Sequence, residues 1–280
     1  MTPRRPVLFV NPRSGDGKAA RAGLAEQALE RGIEVFVLRP DDDLAALVRT
    51  AVESGADVLG VAGGDGSLAI VAGAAVAHDL PFVCVPAGTR NHFALDIGVD
   101  CRDLVGALDA FTDGVERRID IAEVNGRLFL NNVSLGIYGD AVRQPTYRDA
   151  KTRVLLQTTA RVLGPSARAA ELAVVDDVGH LHRDPAVVLV SNNAYSLQPP
   201  LPPGTRATLE GARLGVVVLD RARPGHEPGR AWTATRLEVD GSAPVDAGID
   251  GEAVELVPPL RFAIRPGALR IRVARRLNDG

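Results

Sequence analysis

Short apolar runs recur through the first third of the chain, and segments with helical spacing separate them. Residues 7–10 form an apolar run that stops at Asn11-Pro12-Arg13-Ser14-Gly15. Between 19 and 31, the positions of Ala20, Leu24, Ala25, Ala28 and Leu29 share one helical face, and Gly32 is a stop signal. A second strand is expected over 33–38. Asp43 is then placed to cap a helix with Leu44, Leu47, Val48, Ala51 and Val52 inward, ending near Gly55. Residues 58–62 predict a third strand, 68–77 a helix and 81–85 a fourth strand. Apolar strands alternating with helices predict a parallel sheet covered on both faces.

The pattern changes near residue 115. Strand-like runs at 115–124 and 127–133 flank Asn125-Gly126, a pair suited to a two-residue hairpin turn. A helical pattern covers 147–163. Further strand-like runs follow at 171–175, 186–190, 214–219, 235–239, 253–257, 260–264 and 269–273, separated by turns rich in Pro, Gly and Asp. This part predicts an antiparallel β domain. Four prolines within 198–204 mark a surface loop.

Composition narrows the function classes. The chain has 280 residues, 46% of them hydrophobic, enough to bury a real core in two modest domains or one large one. A net charge of −3 argues against a protein that coats nucleic acid. Of the 32 Lys and Arg residues, only Lys18 and Lys151 are lysines. Cys84 sits in an apolar run and reads as a buried small hydrophobe; with Cys101 the only other cysteine, no disulfide framework is expected. No segment approaches the ~18 uninterrupted apolar residues of a membrane span, and the first residues lack a signal-peptide core. The expected location is the cytoplasm, with any lipid contact peripheral.

Candidate chemistry lies where the parallel strands end. Three loops follow such strands: Asn11-Pro12-Arg13-Ser14-Gly15, Gly63-Gly64-Asp65-Gly66-Ser67 and Pro86-Ala87-Gly88-Thr89-Arg90-Asn91. Parallel sheets bind ligands at the carboxyl ends of their strands, and small residues let backbone N–H groups approach phosphate oxygens. Ser67 is expected to cap the next helix. Asp65 makes sense beside phosphates if Mg²⁺ bridges them, or if it acts as a base toward a hydroxyl. The bland alternatives are a capped strand–helix turn for the second loop, a helix cap from Thr89 or Asn91 for the third and an ordinary turn for the first. Gly15-Asp16-Gly17-Lys18 resembles part of a P-loop, but Pro12 stands where its first glycine belongs. Far along the chain, Asp250-Gly251-Glu252 reads on its own as a hairpin turn with an exposed Glu.

Together these motifs, in this order, resemble the diacylglycerol kinase catalytic-domain family, in particular its bacterial soluble lipid kinases. Phe129-Leu130-Asn131-Asn132-Val133-Ser134-Leu135-Gly136 and Pro266-Gly267-Ala268-Leu269-Arg270 extend the resemblance over essentially the whole chain. It implies α/β plus β architecture. An ATP-binding α/β domain over 1–117 would precede a β-sandwich substrate domain over 118–265, with 266–280 returning to the first domain and the active site in the cleft between them. ATP would bind through Asn11, Pro12, Arg13, Ser14, Gly15, Gly63, Gly64, Asp65, Gly66, Ser67, Gly88, Thr89 and Asn91. Asp65 would organise Mg²⁺ with the triphosphate. Glu252 or Asp250 would accept the proton of a lipid hydroxyl, with diacylglycerol the default substrate and a sphingoid base, ceramide or phosphatidylglycerol the others. Family members also carry a structural Mg²⁺ in the second domain, and Glu210 stands at the matching position. Ser67 replaces a common Thr, Arg90 a common Gly and His92 a common Asp.

Two other readings compete. NAD kinases and phosphofructokinases share a Gly-Gly-Asp-Gly loop. The former want an Asn-Glu pair where Asn131-Asn132 has no Glu; the latter want a Thr-X-Asp run that Arg118-Ile119-Asp120 does not supply. A regulator that binds nucleotide or lipid without turnover is the third reading, supported by His92 and Glu210. The arginines of 261–276 are set either to meet anionic headgroups or to form a solvated strand face, and the solvated face is preferred. Two copies pairing through an exposed strand edge is compatible with the pattern.

Overall fold

The alternation of apolar runs and helical segments builds a parallel sheet. The computed structural model describes residues 5–89, 91–136, 171–196, 205–220 and 229–275. The helix expected at 147–163, the proline-rich loop at 198–204, Arg90 and Arg276 lie outside the described residues. The chain divides into two units, Met1–Ile119 with Gly267–Gly280, and Asp120–Pro266.

The first unit opens with β1 (Pro6–Val10), α1 (Lys18–Arg21), α2 (Leu24–Glu30), β2 (Glu34–Val37), α3 (Leu44–Glu53), β3 (Val58–Ala62), α4 (Asp65–Ala77), β4 (Phe82–Val85), α5 (His92–Asp96) and α6 (Asp109–Thr112). β1 pairs in parallel with β2 and with β3, and β3 with β4. The central strands are buried on both faces. Leu8, Val10, Val58, Ala62, Val83 and Val85 join Leu24, Ala28, Leu108 and Phe111 in one cluster, while the alternate residues Val7, Phe9, Leu59, Val61 and Phe82 are buried as well. Asp43 caps α3 as expected, its carboxylate accepting the Ala46 N–H at 3.1 Å. The single helix expected over 19–31 is broken instead. Gly23 adopts φ 56° between α1 and α2, a conformation that ends one helix and starts the next.

The second unit begins within β5 (Gly114–Val124), a strand shared along its length by both units. It continues with β6 (Arg127–Phe129), β7 (Asn132–Gly136), β8 (Leu172–Val175), β9 (Leu181–Arg183), β10 (Val187–Asn192), β11 (Leu214–Leu219), β12 (Gly229–Ala234), β13 (Arg236–Gly241), β14 (Val245–Ile249), β15 (Glu252–Leu256) and β16 (Leu260–Ala274). One antiparallel sheet runs in the order β12-β11-β10-β7-β14-β15. Opposite it, the first part of β16 pairs with β13, β13 with β8, and β8 with β9, all antiparallel. Val133, Val188, Val216, Trp232 and Ile249 from the first sheet meet Phe129, Val174, Val239, Leu260 and Phe262 from the second in one core, which makes this unit a β-sandwich. Asn125-Gly126 turns the β5–β6 hairpin with φ 49° and 80°, the positive pair such a turn requires.

Several boundaries differ from expectation. The run 127–133 is two strands, because Leu130 and Asn131 leave the ladder to bond elsewhere. The runs 260–264 and 269–273 are one strand, β16, whose last part pairs in parallel with β4 through Ile271 and Arg272. Among the described residues, no helix is long and apolar enough to cross a membrane.

Candidate functional site

β1, β3 and β4 are neighbours and run the same way, so the loops that follow them emerge on one edge of the first unit's sheet. Backbone contacts lock the three together. Asn11 N–H donates to Ala62 O at 2.8 Å, joining the end of β1 to the end of β3. The Asn11 side chain accepts the Arg13 N–H at 3.1 Å and so folds its own loop back. Gly15, Asp16 and Gly17 then follow one another at positive φ, 54°, 57° and 80°.

The glycines are where the loops touch. A Cβ on Gly15 would strike the carbonyl oxygen of Ala87, and one on Gly88 would stand 3.1 Å from Gly63 O and 3.2 Å from the Gly64 Cα. Ser67 lies over Gly63, and the Ser14 hydroxyl faces Gly64. Lys18 Nζ donates to Gly88 O at 3.3 Å, and buried Asn91 donates to Pro86 O at 3.0 Å. The structure thus brings the loops of Asn11 to Gly15 and Gly63 to Ser67 together with Gly88 and Asn91 in one cluster.

α4 starts in the middle of this cluster. Its cap position is Gly64, with no side-chain cap, so Ser67 lies inside the first turn and does not cap the helix. A helix leaves its first N–H groups without an intrahelical acceptor. Here those belong to Gly64, Asp65, Gly66 and Ser67, at the positive end of a 13-residue helix dipole. Asp65 sits in that first turn, where a carboxylate is favoured. Burial, with the Asp65 charge adding to it, pushes the Cys84 thiol far above its ordinary value, which removes it as a nucleophile. Thr89 is exposed, as is His92, the first residue of α5.

In the second unit, Asp250-Gly251 turns β14 into β15 with φ 49° and 92°, and Ile249 faces Glu252 across the turn. The two carboxylates have different surroundings. Asp250 is buried; it accepts the N–H groups of Leu130, Asn131 and Asn132 at 2.8, 2.7 and 3.1 Å, and its own N–H donates to Asn132 O at 2.9 Å. Glu252 is exposed, and its carboxylate has no hydrogen bond or ion pair among the described residues. Arg206, also buried, holds the same segment from its carbonyl side, donating to Leu130 O at 2.7 Å, Asn192 O at 2.9 Å and Asn131 Oδ1 at 3.0 Å.

Glu210 is exposed, next to a turn fixed by a different acid. Buried Asp120 accepts the Ala212 N–H at 2.6 Å and the Asn193 amide at 3.2 Å. Glu210 belongs to no cluster of three metal-ligating side chains among the described residues. Sequence reading missed Lys18, Asp120 and Arg206. For Lys18 the signal was present in Gly17-Lys18 but was set aside with the incomplete P-loop; Asp120 and Arg206 carry no local signal.

Glycine loops that close on a helix N-terminus at the strand ends of a parallel sheet, in a chain that also holds an antiparallel sandwich, define an α/β unit with an added β unit, and a backbone surface of that kind suits phosphate groups. The profile described as "Diacylglycerol kinase catalytic domain" matches residues 5–124. A Pseudomonas aeruginosa protein named "Probable lipid kinase YegS-like" is 30% identical over 95% of this chain and 93% of its own length. A Mycobacterium tuberculosis protein named "Diacylglycerol kinase" is 32% identical over 42% of this chain and 40% of its own. The crystal structure of a diacylglycerol kinase from Bacillus anthracis covers 98% of both chains with a TM-score of 0.69 and 16% identity, a likeness of fold. The chain belongs to the diacylglycerol kinase catalytic-domain family.

Proposed function

We propose that this chain is a lipid kinase that transfers the γ-phosphoryl group of ATP to a lipid hydroxyl, with diacylglycerol, giving phosphatidic acid, as its first candidate substrate. The observation that carries the reading is the closure of three glycine loops around Gly88 at the N-terminus of α4. Gly15, Gly63 and Gly88 leave no room for a Cβ. A backbone surface of this kind, with helix N–H groups and Lys18 beside it, suits a triphosphate. Relatives named as lipid kinases support the acceptor class.

Roles follow from the residues. Asp65 would hold Mg²⁺, a hard cation that prefers carboxylate and phosphate oxygens. When bound, the metal offsets the negative charge of the phosphates that would otherwise repel an attacking oxygen. Glu252 takes the proton of the lipid hydroxyl as that oxygen bonds to the γ-phosphorus and the bridging P–O bond to ADP breaks. Asp250 fixes the turn that presents Glu252, since its oxygens are committed to backbone N–H groups. The enzyme must meet a membrane-embedded hydroxyl from the membrane surface. Arg261, Arg265 and Arg270 are each paired with a carboxylate, Glu238, Glu123 and Glu116, so headgroup binding is not assigned to them.

The test is incubation with γ-labelled ATP, Mg²⁺ and a panel of diacylglycerol, phosphatidylglycerol, ceramide, a sphingoid base and NAD, followed by chromatography. Label in a phospholipid product supports the reading. Label in NADP, or ATP binding with no labelled product, overturns it.

A further inference from the structure

The β8–β9 hairpin carries a side-chain cluster that phosphoryl transfer does not use. Asp176, His180 and His182 each offer a ligand atom, and these atoms lie within 4.8 Å of one another. Asp176 commits one oxygen to the turn: Oδ1 accepts the N–H groups of Val178 at 3.0 Å and His180 at 2.8 Å. That fixes the direction of the other. Oδ2 is buried and accepts no hydrogen bond among the described residues, although the Arg230 guanidinium makes an ion pair with it, Nε lying 3.2 Å away.

His182 is oriented in a complementary way. Its Nδ1 stands 2.9 Å from Asp220 Oδ2, so in the neutral ring the proton lies on Nδ1 and the lone pair on Nε2. Nε2 is buried without a hydrogen-bond partner among the described residues and stands 3.6 Å from Asp176 Oδ2. At that distance no hydrogen bond joins them. Arg230 offsets the charge of the carboxylate, but the buried Nε2 that faces it has no such partner, and a cation between the two would supply one. Tetrahedral zinc places ligand atoms ~3.3 Å apart, close to the 3.6 Å between Asp176 Oδ2 and His182 Nε2. A carboxylate behind a histidine is also the usual way of fixing a metal-binding imidazole. Trp232 stacks on the His182 ring at 6.2 Å and 10°, fixing its plane. His180 is exposed and lies edge-on to His182 at 4.6 Å, so rotating its ring adds a third ligand and leaves a fourth position for water.

We propose that Asp176, His180 and His182 form a binding site for a divalent metal ion of the zinc class, with Asp220 orienting His182. Two imidazoles and one carboxylate select zinc and its neighbours over Mg²⁺ and Ca²⁺, which prefer all-oxygen sites. Arg230 competes for the site. Its Nε lies 3.2 Å from Asp176 Oδ2, and its Nη2 lies 2.9 Å from Asp177. Its side chain is 40% exposed, so it can release Asp176 and keep Asp177 when a metal enters. The ion would tie the β8–β9 turn to Asp220 beyond β11 and so brace one end of the sandwich.

The experiment uses untagged, chelator-treated full-length protein titrated with Co²⁺ and read by its visible ligand-field absorption. The expected result is a band that saturates at one equivalent and is displaced by Zn²⁺ but not by Mg²⁺. His180→Ala, at an exposed position that leaves the fold intact by circular dichroism, is expected to weaken binding at least ~10-fold, and Asp220→Asn ~10–100-fold. Arg230→Met is expected to tighten it. A wild-type protein with no saturable band, or a His180→Ala protein that binds as the wild type does, overturns the proposal.

Discussion

Around Gly88 the first unit makes its site from missing side chains, whereas around Asp250 the second makes its site from a buried one. Gly15 and Gly88 allow three backbones to close on the start of α4, Gly63 makes room there for Ser67, and what they present is N–H groups. Asp250 does the reverse: its carboxylate gathers three N–H groups from Leu130 to Asn132, and this holds the turn while Glu252 stays exposed. A phosphate donor needs a surface of fixed dipoles, while a hydroxyl acceptor needs one accessible base on a rigid support. Under the proposed function, the two regions would divide those tasks.

The largest effect expected on the glycine side is at its one acid. Asp65→Asn keeps size and helix start but removes the charge, so turnover should fall at least ~100-fold with an unchanged thermal midpoint. A steady-state assay beside a melting curve checks this, and near-normal turnover would remove Asp65 from the site. On the carboxylate side, Asp250→Asn tolerates the same backbone but puts an amide against N–H donors. It should cost ~3 kcal/mol of stability, a drop of roughly 6–12 °C in Tm for a unit of this size. An Asp250→Asn protein that melts normally and yet has no activity would transfer the base role from Glu252 to Asp250. Smaller still is the contrast between two glycines. Gly15→Ala drives a methyl into Ala87 O and should weaken ATP binding ~10-fold, measured by calorimetry. Gly126 also has positive φ, but open space surrounds it, so Gly126→Ala should cost about 1 kcal/mol of stability and leave ATP affinity unchanged.

The same contrast explains what could be read from the chain alone. The parallel strands were legible because both of their faces are apolar, and the glycine loops were legible because close backbone approach restricts the residue type. β9, β12 and β14 escaped. β9 and β12 are edge strands, and β14 interrupts its apolar residues with Asp246 and Gly248. The break between β6 and β7 was invisible for a physical reason: the acceptor for Leu130 and Asn131 is Asp250, about 120 residues further on. Arg206 lies 76 residues from the Leu130 carbonyl that it holds. Such partners exist only after folding, so no local pattern announces them. The Asp176, His180 and His182 set is different, for its spacing is local and was open to reading. What the chain alone does not carry is Asp220 behind His182, which orients the ring so that Nε2 faces Asp176.

The central claim is that proton removal in the second unit is separate from nucleotide binding in the first. A single-turnover measurement of Glu252→Gln at saturating labelled ATP tests it most directly. The account predicts wild-type ATP affinity with phosphoryl transfer to lipid slowed at least ~100-fold. Transfer at the wild-type rate, or a loss of ATP binding that accounts for the whole decrease, would contradict it.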